Sequence, residues 1–274
     1  MKKFVLDLKV KSVEQIHERY VLMKLTDDRE LPQMCPGQFV EVRVDGSPST
    51  FLRRPISINF VDRAQNELWL LVAVVGEGTR RLAQMKSGDT LNCLLPLGNG
   101  WTLPVNSISA DDNSANGASA SDAQARHLLV GGGVGVAPLL YLGAELQKEG
   151  FEPTFLLGAR SAKDLLMLDS FRQYGRVFIT TEDGSCGERG FVTQHSVLQT
   201  ESFDMIHTCG PTPMMKAVAR YARQAQVACE VSLENLMACG LGACLCCVEK
   251  TTEGNVCVCK EGPVFNINRL LWQD

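Results

Sequence analysis

Residues 130–138 read VGGGVGVAP. HLLVGG (127–132) leads into this stretch as a short apolar run of strand type. VAPLLYLGAELQKEG (136–150) follows as a helical run closed by Gly150. Gly131, Gly132, Gly133 and Gly135 allow a tight turn and let a ligand approach the backbone closely. The helix behind the turn opens with unpaired N–H groups that suit an anionic phosphate. Pro138 falls in the first helical turn, where a missing N–H costs least. Glycine-rich strand-to-helix turns also serve packing alone, and this one is not the G-x-G-x-x-G dinucleotide fingerprint. No acidic residue ends the next strand near position 158 either. A standard Rossmann assignment is therefore wrong in detail.

Downstream the same rhythm continues. PTFLLGAR (153–160), RVFITTED (176–183) and FDMIHTCGP (203–211) have the composition of buried strands, with helices expected at 162–174 and near 191–199. In PMMKAVARYARQAQ (213–226), Met215, Val218, Ala219 and Ala222 follow the 3, 4, 7 spacing of one apolar helix face. Alternating strands and helices predict a parallel sheet covered on both faces. Ligands of such sheets gather at the carboxyl ends of the strands. The loop TCGPTPMM (208–215) should thus bring Cys209, Gly210 and Pro211 to the crevice that holds the glycine turn. Cys209 is the catalytic candidate there, with an ordinary core residue as the other reading.

Upstream the chain changes character twice. Residues 106–126, NSISADDNSANGASASDAQAR, are too polar to bury much surface and are expected to be a linker or insertion. The first hundred residues hold short alternating or β-branched runs: FVLDLKVKSV, YVLMKLT, QFVEVRV, ISINFV and LWLLVAVVG. Turn residues separate them, with one short helix expected around 79–86, which predicts an antiparallel barrel. The expected division is a barrel at 1–104, a polar linker at 105–126, an α/β domain at 127–230 and a cysteine-rich segment at 231–274. The fold class is thus β-barrel plus α/β.

Composition excludes several classes. A net charge of -4 gives no basic footprint for nucleic acid. Asp7 and Lys9 interrupt the apolar run of the N-terminus before a signal-peptide core forms, and no stretch approaches the roughly 20 apolar residues of a membrane span. The expected location is the cytoplasm. Thiols there stay reduced, so eleven cysteines point to metal or redox chemistry rather than disulfides.

Six of the eleven fall between 239 and 259. Cys239, Cys244 and Cys247 have the spacing C-x4-C-x2-C of plant-type [2Fe–2S] sites, whose fourth thiolate comes from farther along. Gly240 and Gly242 let the loop wrap a cluster and aim N–H groups at its sulfurs. Four thiolates also suit tetrahedral zinc, although zinc loops favour paired C-x2-C knuckles and only Cys244–Cys247 supplies one. Cys257 and Cys259 compete for the fourth place. Two residues apart on a strand, they would face the same side, so periodicity does not choose between them.

The barrel segment carries its own ligand signals. LRRPISINF (52–60) places two arginines, with forks that match pyrophosphate, before a proline and a serine. VVGEGTRRL (74–82) supplies a second backbone nest. Beside a nucleotide domain, the pair suggests a second nucleotide cofactor.

In this order, RPIS (54–57), GEGT (76–79), GGGVGVAP (131–138) and CGPTPM (209–214) resemble the ferredoxin reductase superfamily, which pairs a FAD-binding barrel with a nicotinamide-nucleotide domain. The resemblance implies that Arg54, Pro55, Ile56 and Ser57 hold the flavin and its pyrophosphate. Leu71, Val72 and Ala73 would lie along the flavin, and Gly78 with Thr79 would cap a phosphate. Gly131–Pro138 and Cys209–Pro213 would flank NAD. MACGLGACLCCV followed by VCKEGPVF resembles one subgroup, the electron-transfer subunits of NAD-linked dihydroorotate dehydrogenases. That likeness implies Cys259 as fourth ligand, with Cys246 and Cys257 as extra thiols. It also implies a partner, an FMN-containing catalytic subunit joined as a heterotetramer of two of each. Electrons would pass from it through [2Fe–2S] and FAD to NAD+ during orotate formation in pyrimidine synthesis. The alternative is a related NAD(P)H oxidoreductase serving another acceptor, such as ferredoxin or sulfide.

Overall fold

The computed structural model describes residues 2–47, 49–104 and 125–272, so nearly all of the expected linker lies outside the described residues. Strands β1 (Phe4–His17), β2 (Tyr20–Thr26), β3 (Phe39–Val42), β4 (Arg54–Asp62) and β5 (Glu67–Ala73), helix α1 (Glu77–Ala83) and strand β6 (Thr90–Leu97) build the N-terminal half. The strands close into an antiparallel barrel in the order β1-β2-β5-β4-β3-β6. In β1 the pleat sends Leu8 and Val10 into the barrel while Lys9 and Lys11 stay outside. Strand β6 was not among the sequence expectations. TLNCLLPL has no alternation and contains a proline, yet it closes the barrel by pairing with both β1 and β3.

The second half begins with β7 (His127–Gly132), whose glycine turn winds through 3₁₀ residues Gly133–Val136 into α2 (Ala137–Lys148). It continues through β8 (Thr154–Ala159), α3 (Leu168–Arg172), β9 (Arg176–Thr181), β10 (Glu188–Arg189), α4 (Val197–Thr200), β11 (Met205–Cys209), α5 (Thr212–Ala225) and β12 (Ala228–Ser232). The last stretch holds the hairpin β13 (Val248–Thr251) and β14 (Gly254–Cys257), then α6 (Val258–Glu261) and β15 (Val264–Asn266). The main sheet runs β10-β9-β8-β7-β11-β12-β15, parallel except for β15. Side chains alternate as the pleat requires. Leu128, Val130 and Ile206 face α5 with Met215, Val218, Ala219 and Ala222, whereas Leu129 and Cys209 face α2.

Two expectations are corrected. The helix expected at 162–174 is a 3₁₀ turn at Ala162–Asp164 followed by α3, because Met167 adopts φ 55 and breaks the run. The one near 191–199 likewise splits into 3₁₀ residues Val192–Gln194 and α4. Strand β12 spans residue 230, and the chain after it returns to the same sheet as β15.

The two halves are locked together by α2. Tyr141 inserts into the barrel core and its hydroxyl donates to the Met34 carbonyl at 3.0 Å. Asn59 of β4 donates to the Ala137 carbonyl at 3.0 Å. Phe60 adds ring contacts with Trp69, Tyr141 and Tyr174 at 5.2, 5.8 and 5.8 Å. A polar chain, buried from Glu230 onward, ties the barrel exit to the sheet. Thr102 donates to Glu230, whose carboxylate lies 3.6 Å from His207 Nδ1, and His207 Nε2 meets His127 Nδ1 at 3.2 Å.

Candidate functional site

The glycine turn and the loop after β11 interlock. A Cβ on Gly135 would lie 2.5 Å from the Gly210 nitrogen and 2.6 Å from the Cys209 carbonyl carbon, so only glycine lets the two backbones meet. Pairing of Cys209 with Gly131 sets that approach, and Pro138 sits buried in the first turn of α2 as its residue type predicts. Above these loops opens a cavity of about 560 Å³. Gly132, Gly133, Pro211 and Met214 form its floor, and Arg160 and Glu182 stand at the carboxyl ends of β8 and β9. Gly131, Gly135 and Gly210 shape the floor from behind without lining it.

Cys209 does not open onto this crevice. Its side chain is fully buried beside α2, and burial, foremost, holds its thiol well above the usual range. That placement fits the core reading rather than the catalytic one. Glu182 is the residue the sequence did not reveal. It follows the third strand of the sheet half, not the second, where a dinucleotide fingerprint would place its acid.

On the barrel the two arginines separate. Arg53 is committed to the framework, donating to the Glu41 and Asn92 carbonyls at 3.1 Å and to the Asn92 side chain. Arg54 Nε is buried without a hydrogen-bond partner, and it stands 3.5 Å from the position of a Cβ on Gly78. An orphaned guanidinium nitrogen beside the first turn of α1 fits a pyrophosphate. The Thr79 hydroxyl is spent on the turn itself, accepting from the Val75 and Gly76 N–H groups at 3.0 Å. A phosphate there would meet the Gly78 and Thr79 backbone. Pro55 and Ser57 continue along β4, paired with Glu41 and Phe39, while Ile56 packs on the barrel core. Val72 points into that core, so of the three β5 residues Leu71 and Ala73 are the ones on the outer face.

The cysteine segment lies across the outer face of β3 and β6. Cys247, Cys259, Val258 and Met237 pack with Phe39 and Leu97. Cys239 lies beside Cys244, and Cys247 lies beside both Cys257 and Cys259. Backbone N–H groups aim at three of them: Leu241 at Cys239 (3.3 Å), Gly242 at Cys259 (3.1 Å) and Cys259 at Cys247 (3.3 Å). Burial opposes ionisation of Cys239, but the Leu241, Cys244 and Ala243 N–H groups outweigh it and bring the thiol down to about 6. The C-x4-C-x2-C spacing, with Cys259 donating its N–H to Cys247, fits a [2Fe–2S] cluster. Cys246 is exposed, and Cys257 turns its thiol to the Gly242 carbonyl at 3.8 Å.

Beneath this loop lies Glu41, fully buried, with both carboxylate oxygens lacking a hydrogen bond. Burial pushes it up to about 7 against the pull of Arg53 and Arg54. A Cβ on Gly240, which has φ +65, would lie 2.9 Å from the Glu41 side chain, so the cluster loop rests directly on the barrel. Outward the same segment exposes Leu236, Leu241, Leu245 and Val248.

A barrel with a phosphate-type arginine, a nucleotide crevice and a thiol-rich segment together define an iron–sulfur flavin oxidoreductase of ferredoxin-reductase fold. Comparison with known proteins agrees. Residues 234–271 match the iron–sulfur cluster binding domain of dihydroorotate dehydrogenase B, and residues 129–220 match the oxidoreductase NAD-binding domain. The dihydroorotate dehydrogenase B (NAD(+)) electron transfer subunit of Shouchella clausii is 38% identical over 96% of both chains. That of Bacillus velezensis is 40% identical over 94% of this chain and 95% of its own. A solved structure of NADH-dependent reduced ferredoxin–NADP oxidoreductase superposes with TM-score 0.82 at 28% identity, covering 97% of this chain and 90% of that one. The ferredoxin reductase of carbazole 1,9a-dioxygenase shares the fold at TM-score 0.65 and 18% identity, over 83% of this chain and 67% of that one. The chain belongs to the family of dihydroorotate dehydrogenase B electron transfer subunits. No helix among the described residues is long and apolar enough to cross a membrane.

Proposed function

We propose that this chain is the NAD+-reducing relay of a two-subunit dihydroorotate dehydrogenase, docked on an FMN-containing catalytic subunit in a complex of two of each. The observation that carries the reading is the cluster segment itself, seated on the barrel at Glu41 and Leu97 and apolar on its outward side. When bound, the [2Fe–2S] cluster, FAD and NAD+ supply single-electron transfer and its conversion to hydride transfer. Cys239, Cys244, Cys247 and Cys259 hold the cluster, with the 241, 242 and 259 N–H groups orienting the sulfurs. Arg54, the α1 backbone at Gly78–Thr79 and the β4 and β5 residues Pro55, Ser57, Leu71 and Ala73 hold FAD, with Ile56 and Val72 offering only backbone. Gly132, Gly133 and Pro211 seat the NAD pyrophosphate, and Glu182 accepts from a ribose diol, which disfavours a 2′-phosphate. Glu41 keeps the cluster loop and the flavin barrel in van der Waals contact.

The test is co-expression with an FMN-containing dihydroorotate-oxidising subunit. Expected results are a complex with two copies of each chain and NAD+-dependent orotate formation. A chain that copurifies with nothing and supports no orotate formation refutes the proposal. NADH-dependent reduction of ferredoxin in place of orotate formation would favour the alternative acceptor.

A further inference from the structure

The cavity is not built by the sheet domain alone. Arg19, in the turn between β1 and β2, and Tyr20, the first residue of β2, form part of its wall. A register shift between Gln15 and His17 bends the end of β1. The turn is then pinned from within. Gln15 Nε2 donates to the His17 and Tyr20 carbonyls, and the Arg19 N–H donates to His17 Nδ1 at 3.1 Å. The Tyr20 ring packs on His17 with centroids 5.3 Å apart. So held, the Tyr20 hydroxyl comes to 3.9 Å of the position a Cβ would take on Gly133, across the crevice. Anything lying on the glycine turn passes beneath it.

Arg19 faces one anion, Asp164, at 3.8 Å, and His17 Nε2 approaches the same oxygen at 3.7 Å. Both separations exceed hydrogen-bond length. The other Asp164 oxygen already accepts from the Ser161 hydroxyl at 2.6 Å. Half the Arg19 side chain is exposed, so its ion pair with Asp164 is weak and its planar fork is open to a better-matched anion. Within the cavity lining the charged groups are Arg19 and Arg160 against Asp164 and Glu182.

We infer that the β1–β2 turn is a cross-domain arm of the nucleotide site: Arg19 pairs with the pyrophosphate of NAD, Tyr20 packs over it, and Asp164 competes for the Arg19 guanidinium. This rests on the cavity being the NAD site. It makes the barrel a direct reader of the dinucleotide.

The experiment is calorimetric binding of NAD+ and ADP-ribose to the flavin- and cluster-loaded protein, with the visible spectrum as a check on both groups. Arg19→Gln should weaken both ligands about 10-fold, the loss of one charge-assisted contact, with the spectrum unchanged. Asp164→Asn should tighten both about 3-fold, and that gain should vanish in the Arg19→Gln background. Tyr20→Phe should bind as the unsubstituted protein does, and Tyr20→Ala more weakly. Unchanged affinity in Arg19→Gln would overturn the inference, as would an Asp164→Asn gain that persists without Arg19. A loss confined to NAD+, with ADP-ribose unaffected, would place the contact on the nicotinamide side and refute the pyrophosphate assignment. Failure of the unsubstituted protein to bind either ligand would instead remove the cavity reading itself, and the arm with it.

Discussion

Gly135→Ala is the sharpest probe of the crevice, because the clash it creates is with backbone on both sides. The new methyl carbon would lie 2.5 Å from the Gly210 nitrogen. Ordinary contact needs roughly 3.5 Å, so the glycine turn and the 209–211 loop must part by about 1 Å. Neither can yield by rotating a side chain. Overpacking of this kind costs about 1–3 kcal/mol, and the separation widens the floor on which the dinucleotide lies. If about 2 kcal/mol of that appears in binding, NAD+ affinity falls roughly 30-fold. The flavin site is on the barrel and should keep its absorbance. Gly76→Ala is the control, since its Cβ meets nothing within 4 Å and its φ is -143. Calorimetric titration with NAD+ decides the matter. A Gly135→Ala protein whose affinity stays within about twofold of the parent, where about 2 kcal/mol was expected, would show that the interlock is not what forms the site.

Other consequences can be checked one at a time. Cys259→Ser should bleach the cluster absorbance, whereas Cys257→Ser and Cys246→Ser should keep it; the opposite pattern would reassign the fourth ligand. Arg54→Ala should lower flavin occupancy at least about 10-fold by removing a charge-assisted pyrophosphate contact, read from the flavin-to-protein absorbance ratio, with the fold retained by circular dichroism. Glu182→Gln should leave NAD+ binding within a few-fold and raise NADP+ affinity about 10-fold by removing one repulsive charge; unchanged NADP+ affinity would mean that Glu182 does not face the 2′ position. Burial, then the neighbouring His207, pushes His127 down to about 4 from 6.5. Its folded form stays neutral where the unfolded chain already binds a proton, so this stability is complete above pH 6.5 and lost on acidification toward 4. His127→Asn should therefore narrow its stability gap to the parent by about 2 kcal/mol between pH 6.5 and 5; a gap independent of pH in urea unfolding would contradict this.

What the chain disclosed in one dimension was its local chemistry. The glycine turn, Pro138 and the apolar stripe of α5 were legible because each depends on residues within a few positions of one another. The C-x4-C-x2-C spacing was legible for the same reason. Glu41 was not, since its neighbours Gly240 and Cys239 arrive only when the tail folds over β3. Nor could sequence tell Arg53 from Arg54; that distinction depends on Asn92, which comes from β6, the strand sequence did not foretell. Cys209 ends β11 at the loop that lines the cavity, but strand pleat turns its thiol inward, which sequence alone did not show. Glu182 escaped because only the sheet order, with β9 two strands from β7, brings it into the lining of the cavity.

The return of β15 to pair beside β12 means that the cysteine-bearing residues are not a tail at all. They form an excursion between two neighbouring strands, entered at Leu233 and left at Pro263, whose backbones are joined by a 2.9 Å hydrogen bond. A loop whose ends are clamped that closely is a cassette: its length and contents can change while the sheet register stays fixed. The flavin barrel and nucleotide crevice are built from the rest of the chain, outside this excursion.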